Sequence, residues 1–195
     1  LFVKFKCEKY ILSYKEAELI KISTNLFLFF SVSFSNIIHD LAKQKKINFH
    51  KTLKILQNDP RIGKHSYIKP SLGMSGGHIE RDYYYFQKLN KNKLTKKILS
   101  SILKFNNERK KILYKKLSRY KKKKIILIGA SYKNNSYSII NSNFKKIFKS
   151  QIKIFDDQFE LIDFKKKQVI KKLDDLNLFD IFIYNYSNNF TKKII

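Results

Sequence analysis

Lys21 and Asn25 stand four residues apart in a run without Gly or Pro, a spacing that sets both side chains on one face of a helix. Downstream, Asp59-Pro60-Arg61-Ile62-Gly63 is followed by Pro70-Ser71-Leu72-Gly73-Met74-Ser75-Gly76-Gly77-His78-Ile79-Glu80-Arg81-Asp82, so four of the chain's five glycines fall between Gly63 and Gly77. Glycine alone takes positive φ without steric cost. Such clustering in a glycine-poor chain therefore marks a backbone that turns sharply or lies close to a bound group. Binding chemistry is expected there, with His78, Arg81 and Asp82 as the adjoining ionisable side chains.

The elements around this loop follow from apolar spacing. Ala17, Ile20, Thr24, Phe27, Phe30, Phe34, Ile37, Ile38 and Leu41 recur at three- and four-residue steps, which predicts a long core helix from Tyr14 to about Lys46. A second helix is expected from Asn48, as N-cap, to Gln57, before Pro60 and Gly63 break it. From Asp82 to about Ser118 the spacing predicts one long helix, or two stacked ones broken around Asn90 to Asn92. After the charged boundary at Lys121 to Lys124, Ile125-Ile126-Leu127-Ile128-Gly129 reads as a buried parallel strand. Further strands are expected at Ile152 to Phe155 and Phe179 to Tyr184, with helices at Ile139 to Phe148 and Lys165 to Leu173. This alternation is that of a small parallel α/β unit.

Bulk properties narrow the class. With 195 residues, 43% hydrophobic and 15% aromatic, the chain can bury a core, which argues against global disorder. The formal charge of +27 would ordinarily suggest polyanions, but the lysines are spread along the chain amid abundant Ile and Asn. They read as solvated faces, and nucleic acid is not expected as a partner. The single cysteine, Cys7, excludes an internal disulfide and a multi-cysteine metal site; it reads as a small buried hydrophobe in a reducing, cytoplasmic setting. His39, His50 and His65 lack metal-ligand spacing. The most apolar stretch, Leu26 to Phe34, is far short of the ~20 residues that cross a bilayer, so no membrane is expected.

Taken in order, Ala17-Glu18-x-x-Lys21-x-x-x-Asn25, Asp59-x-Arg61-Ile62-Gly63 and Gly73-x-x-Gly76-Gly77 leading to Arg81-Asp82 resemble the UDP-glucose/GDP-mannose dehydrogenase family over Tyr14 to about Phe86. Members carry Ala-Glu-x-x-Lys-x-x-x-Asn, Asp-x-Arg-Ile-Gly and Gly-x-Gly-Gly-x-Cys-x-Pro-Lys-Asp. A weaker likeness continues through Ile125 to Lys133 and Ile154-Phe155-Asp156. The resemblance implies an all-helical central dimerisation domain at 14–120, with an active-site loop at 59–82 and a long connecting helix. A small parallel α/β nucleotide-sugar-binding-like domain follows at 121–195, and residues 1–13 would be the tail of an N-terminal Rossmann domain.

It also implies NAD-dependent oxidation of a UDP- or GDP-sugar, in the service of polysaccharide biosynthesis, by a homodimer with shared sites. The NAD-binding domain would lie outside this chain, which has no Gly-x-Gly-x-x-Gly. By resemblance, Lys21 stabilises negative charge on the sugar oxygen, Asn25 positions that oxygen or a water, and Asp82 assists proton transfer. Arg61 contacts substrate across the dimer, Gly73, Gly76 and Gly77 let the loop approach the sugar, Arg81 stands for a lysine, and Lys133 meets the phosphates.

The departures carry equal weight. The family's cysteine is absent: His78 takes its place, or matches the histidine of a Gly-Gly-His-Cys variant from which the cysteine is deleted. Glu80 replaces a proline, Ile37 stands where a glutamate is common, and Ile140 takes the place of an arginine in the nucleotide-gripping signature. Imidazole does not form the thioester that accepts a second oxidation. Two other readings are a basic nucleic-acid-binding module and a decayed dimerisation scaffold.

Overall fold

In the computed structural model, the residues described are 6–74, 77–120, 122–130, 144, 152–155, 170 and 174–184. Four helices come first: α1 (Tyr14–Gln44), α2 (Phe49–Leu56), α3 (Gly77–Leu89) and α4 (Lys93–Ser118). Three short strands follow: β1 (Ile125–Ile128), β2 (Lys153–Phe155) and β3 (Ile181–Tyr184), with a 3-10 turn at Asp174–Leu178 before β3. The protein is thus mostly helical with a small parallel sheet, as expected from sequence.

Helices α1, α2 and α4 each begin where a side chain satisfies orphan N–H groups. Ser13 and Glu16 form a reciprocal capping box at α1, Asn48 accepts from Lys51 N at 3.1 Å, and Asn92 accepts from Thr95 N at 3.0 Å. The last cap also explains why the Asp82-to-Ser118 run splits at Asn90 to Asn92. Two expectations are corrected. α3 starts at Gly77 rather than Asp82, which places Gly77 and His78 in its first turn. Cys7 is exposed rather than buried, because it precedes α1 in a stretch that packs on nothing: Tyr10 is 73% exposed.

α1 is also turned differently from its apolar pattern. Its buried residues are Ile22, Asn25, Phe29, Val32, Ser33, Ser35, Asn36 and Ala42, while Ile20, Phe27, Phe30, Phe34, Ile37 and Leu41 face outward. The reason is specific bonding. Asn106 Nδ2 donates to Ser33 Oγ at 2.7 Å, and Asn36 Oδ1 accepts from Ser71 N at 2.7 Å, so the small polar face is the one that fits α4 and the loop. The whole of α1, unlike its Leu26 to Phe34 centre alone, is long and apolar enough to cross a membrane by length and composition. Here it packs a mixed face, with Phe29 and Val32 beside Ser33 and Asn36, inside the protein.

Phe29, Met74, Tyr83 and Leu99 form the core between α1, α3 and α4. In the sheet, β1 is central in the order β2-β1-β3 with both pairings parallel, and its four residues are all buried. Helix α4 serves both cores: Ile102 and Leu103 pack on the helical one, whereas Leu113, Tyr114 and Leu117 pack against the sheet. The helices expected at Ile139 to Phe148 and Lys165 to Leu173 lie almost entirely outside the described residues, as do Lys133, Ile140 and the Asp156-Asp157 pair. Asp174 and Asp175 open the 3-10 turn.

Candidate active site

Packing α3 across α1 brings the two distant motifs together. Lys21 and Asn25 project from one face of α1, and Asp82, six residues into α3, meets them. Asn25 Nδ2 donates to Asp82 Oδ2 at 2.5 Å, and Arg81 Nε donates to Asp82 Oδ1 at 2.7 Å. Both Asn25 and Asp82 are buried, whereas the Arg81 side chain is 63% exposed. Glu18, Lys21, Ile22, Arg81, Asp82 and Tyr85 line an open hollow of about 290 Å³. Tyr85 closes one side by donating its hydroxyl to Glu18 Oε1 at 3.0 Å.

The electrostatics of the hollow are set by this pairing. The Arg81 hydrogen bond is the largest influence on Asp82 and holds its carboxyl below the usual carboxylate range. The Asn25 hydrogen bond and the Arg81 and Lys21 charges add to it, against the opposing effect of burial. Asp82 is therefore ionised at neutral pH with both oxygens occupied. Such a group orients its neighbours better than it accepts a proton. Lys21, exposed at the rim, presents its ammonium beside that buried anion, an arrangement that stabilises negative charge on a bound oxygen.

Other residues singled out from sequence lie elsewhere. His78 is exposed in the first turn of α3 and does not line the hollow. Arg61 is clamped to its own loop, donating to both oxygens of Asp59 at 3.0 and 2.7 Å, with its side chain 88% exposed. Gly73 has φ +132°, and a Cβ there would lie 2.9 Å from Asn106 O, so its glycine is demanded by the approach of α4. Gly63, at φ +84°, needs glycine for its backbone alone. Gly76 and Lys133 lie outside the described residues. Among the described residues no cluster of His, Cys, Asp or Glu could hold a metal ion.

Sequence reasoning missed Arg109. Its side chain is 12% exposed and donates to Ser71 O at 3.3 and 3.1 Å, to Asn36 O at 3.5 Å and to Asp40. Ser71 is thus held at its carbonyl by α4 and at its N–H by Asn36 of α1, which fixes the loop that leads into α3. Nothing in the spacing of a lysine-rich helix distinguishes this arginine; the signal available was Asp40, a rare acid on α1. Arg109 also lines a larger cleft of about 460 Å³ at the junction of helices and sheet, with His39, Tyr67, Lys69, Phe144 and Tyr184.

Residues 15–108 match the family model described as the UDP-glucose/GDP-mannose dehydrogenase family, central domain. A UDP-glucose 6-dehydrogenase of Campylobacter jejuni is 28% identical over 189 residues, covering 92% of this chain and 47% of that protein. The UDP-glucose 6-dehydrogenase of Streptococcus pneumoniae is 24% identical over 94% of this chain and 48% of its own length. The chain spans about half the length of the curated relatives it matches. Among solved structures, the UDP-D-ManNAc dehydrogenase from Pyrococcus horikoshii superposes with a TM-score of 0.73 at 17% identity, over 96% of this chain and 47% of that one, which shows a shared fold.

Proposed function

The chain belongs to the UDP-glucose/GDP-mannose dehydrogenase family, whose central domain it carries at residues 15–108, and from that membership we propose that it is the sugar-handling part of an NAD-dependent nucleotide-sugar dehydrogenase. The observation that carries the reading is the convergence of Lys21 and Asp82 on one hollow from two helices, with Asn25 buried outside its lining and bonded to Asp82.

In this proposal the oxidisable carbinol of a nucleotide sugar enters the hollow. Lys21 Nζ stabilises the oxygen as it gains negative charge, and Asn25 holds Asp82 in place. Asp82 in turn fixes Arg81 at the rim and balances the Lys21 charge. The nucleotide lies toward the larger cleft, where Lys69 and Arg109 supply cations and Tyr67 an aromatic surface. The first lining residue of that cleft on α1, Val32, is ten positions beyond Ile22, about 15 Å along the helix. The two hollows are then the two ends of one extended ligand.

A nicotinamide dinucleotide, when bound, supplies the hydride acceptor. The described residues do not fit it: β1 is followed by the single glycine Gly129, with buried Ala130 next and no second glycine to cradle a pyrophosphate. In the proposal the dinucleotide is held by other residues. The absent cysteine further implies one alcohol-to-aldehyde oxidation rather than two, since His78 is outside the hollow and no thiol lines it. Measuring NADH formed per sugar consumed tests this in the protein that contains the chain. A ratio of one supports the reading, a ratio of two refutes the single oxidation, and no NADH with any UDP- or GDP-sugar refutes the enzyme.

The proposal includes a homodimer. Ile20, Phe27, Phe34 and Leu41 are exposed at seven-residue intervals on α1, with Phe30 and Ile37 between them. That is the seam of a helix that packs on another helix, and a second copy of α1 is its self-complementary partner. The exposure of Arg61 suits a residue that reaches across to a neighbouring site. Cytoplasmic location follows from the substrate class in this reading.

A further inference from the structure

Helices α1 and α4 run parallel, and their contacts keep one register. Ser33 pairs with Asn106 and Asn36 with Arg109, each separated by 73 positions. Continuing that register two turns places Lys43 beside Lys116. The register agrees with the electrostatics: the Lys43 and Lys116 amines are close enough for Lys116, when neutral, to accept a hydrogen bond from Lys43, and this and the Lys43 charge push the Lys116 pKa below the usual lysine range, with a smaller push from Arg119.

Two parallel helices also end together. Their negative dipole ends lie side by side, which draws cations to this corner but accounts for only the last turn of each. The charge here extends further. Lys43, Lys45 and Lys46 from α1 and Lys115, Lys116 and Arg119 from α4 are all exposed, with Lys122 to Lys124 continuing toward β1. The sequence has no acid from Leu41 to Asn58 or from Arg109 to Phe155. Among the described residues, Asp40 is engaged with Arg109, Glu108 with Lys111, and Asp180 with Lys123 and Lys124 N. Basic residues from two stretches far apart in the chain are thus gathered by the fold at one corner.

The geometry points to this corner, at the joint ends of α1 and α4, as a binding surface for single-stranded nucleic acid, independent of the sugar site. Six cations from two adjacent helix ends form a track for successive phosphates. Tyr120, 48% exposed next to Arg119, offers a ring face for a base. Lysine and arginine contacts of this kind displace counterions from the phosphates, so affinity falls steeply with salt.

The test is fluorescence anisotropy of a labelled oligouridine RNA with the purified chain, alongside a DNA of equal length and anionic lipid vesicles. With about five phosphates contacted, affinity falls about 100-fold between ~50 and ~200 mM salt. The pair Lys43→Glu and Lys116→Glu lowers RNA affinity at least about tenfold by the same charge argument. The pair Lys91→Glu and Lys93→Glu, at the far end of α4 and about 35 Å from Lys116 along the helix, leaves it nearly unchanged. All four side chains are exposed, so each pair folds, which circular dichroism verifies. Equal losses from both pairs would mean diffuse attraction to a basic protein and overturn the site. Binding to vesicles but not to RNA or DNA, or to none of the three, overturns it as well.

Discussion

Asn25 and Asp82 are 57 positions apart in the sequence, and the amide of the first donates to the carboxylate of the second at 2.5 Å in a buried setting. This bond, together with that of Tyr85 to Glu18, joins α1 to α3 and makes a single site of two motifs. Replacing Asn25 with Ala leaves a buried carboxylate oxygen short of a donor and is expected to destabilise the fold by about 1–3 kcal/mol. Urea unfolding checks it, and a midpoint equal to wild type would show that the bond contributes nothing.

The same carboxylate predicts a pH dependence. Asp82 has its pKa lowered in the folded state, principally by Arg81, below the ordinary aspartate value of 3.8. A lowered folded pKa means that the unfolded chain binds the proton first as pH falls. The stability that Asp82 contributes is therefore fully present well above 3.8 and is lost as pH drops below that value toward the folded pKa. Asp82→Asn should reduce stability at neutral pH and flatten this acid limb, as followed by thermal unfolding at a series of pH values. An unaltered acid limb in the variant would locate the titration elsewhere.

Gly73 and Gly63 separate two reasons for glycine. Gly63→Ala meets open space and bears only the positive-φ penalty, about 1 kcal/mol. Gly73→Ala must also displace the Asn106 carbonyl of α4, at a cost on the order of 2–4 kcal/mol. Melting temperatures of the two variants should fall in that order, and the reverse order would contradict the packing described for the loop.

Arg109→Met removes three carbonyl contacts and one of two partners of Asp40, the other being His39. Burial raises the Asp40 pKa, but the Arg109 hydrogen bond and charge, joined by those of His39, outweigh it, so the carboxyl is held below its ordinary range. Because Asp40 is about a third exposed, the loss is expected near 1–3 kcal/mol rather than the larger value of a fully buried pair. Hydrogen exchange should show the Ser71 to Gly73 backbone opening faster in the variant. Unchanged exchange there would show that Arg109 does not hold the loop.

If a second copy covers α1, the exposed stripe is its interface. Phe27→Glu with Phe34→Glu should convert a dimer to a monomer in light scattering without lowering helix content, since both side chains are exposed in the single chain. A wild-type protein that stays monomeric at high concentration contradicts the dimer.

The helices were readable because their caps and breakers are local: Asn48, Pro60 and Gly63 each act within a turn. The split at Asn92 and the pairing of Lys21 and Asn25 on one face were readable for the same reason. The orientation of α1 was not. Apolar periodicity pointed to the Phe27–Phe34 side as core, whereas the buried side is chosen by Ser33 and Asn36, whose partners Asn106 and Ser71 are distant in sequence. Arg109 was hidden for a like reason, and so was the gathering of lysines at the ends of α1 and α4. Within the site, spacing could show that Lys21 and Asn25 face one way but not that Asp82 arrives with both oxygens already engaged.

The most direct measurement is a crystal structure of the protein with a bound UDP- or GDP-sugar. The account predicts the oxidisable carbinol in the hollow of Glu18, Lys21, Arg81, Asp82 and Tyr85, with its oxygen within hydrogen-bonding distance of Lys21 Nζ and the nucleotide directed toward Lys69 and Arg109. A sugar seated elsewhere, with Lys21 facing only solvent, would contradict it.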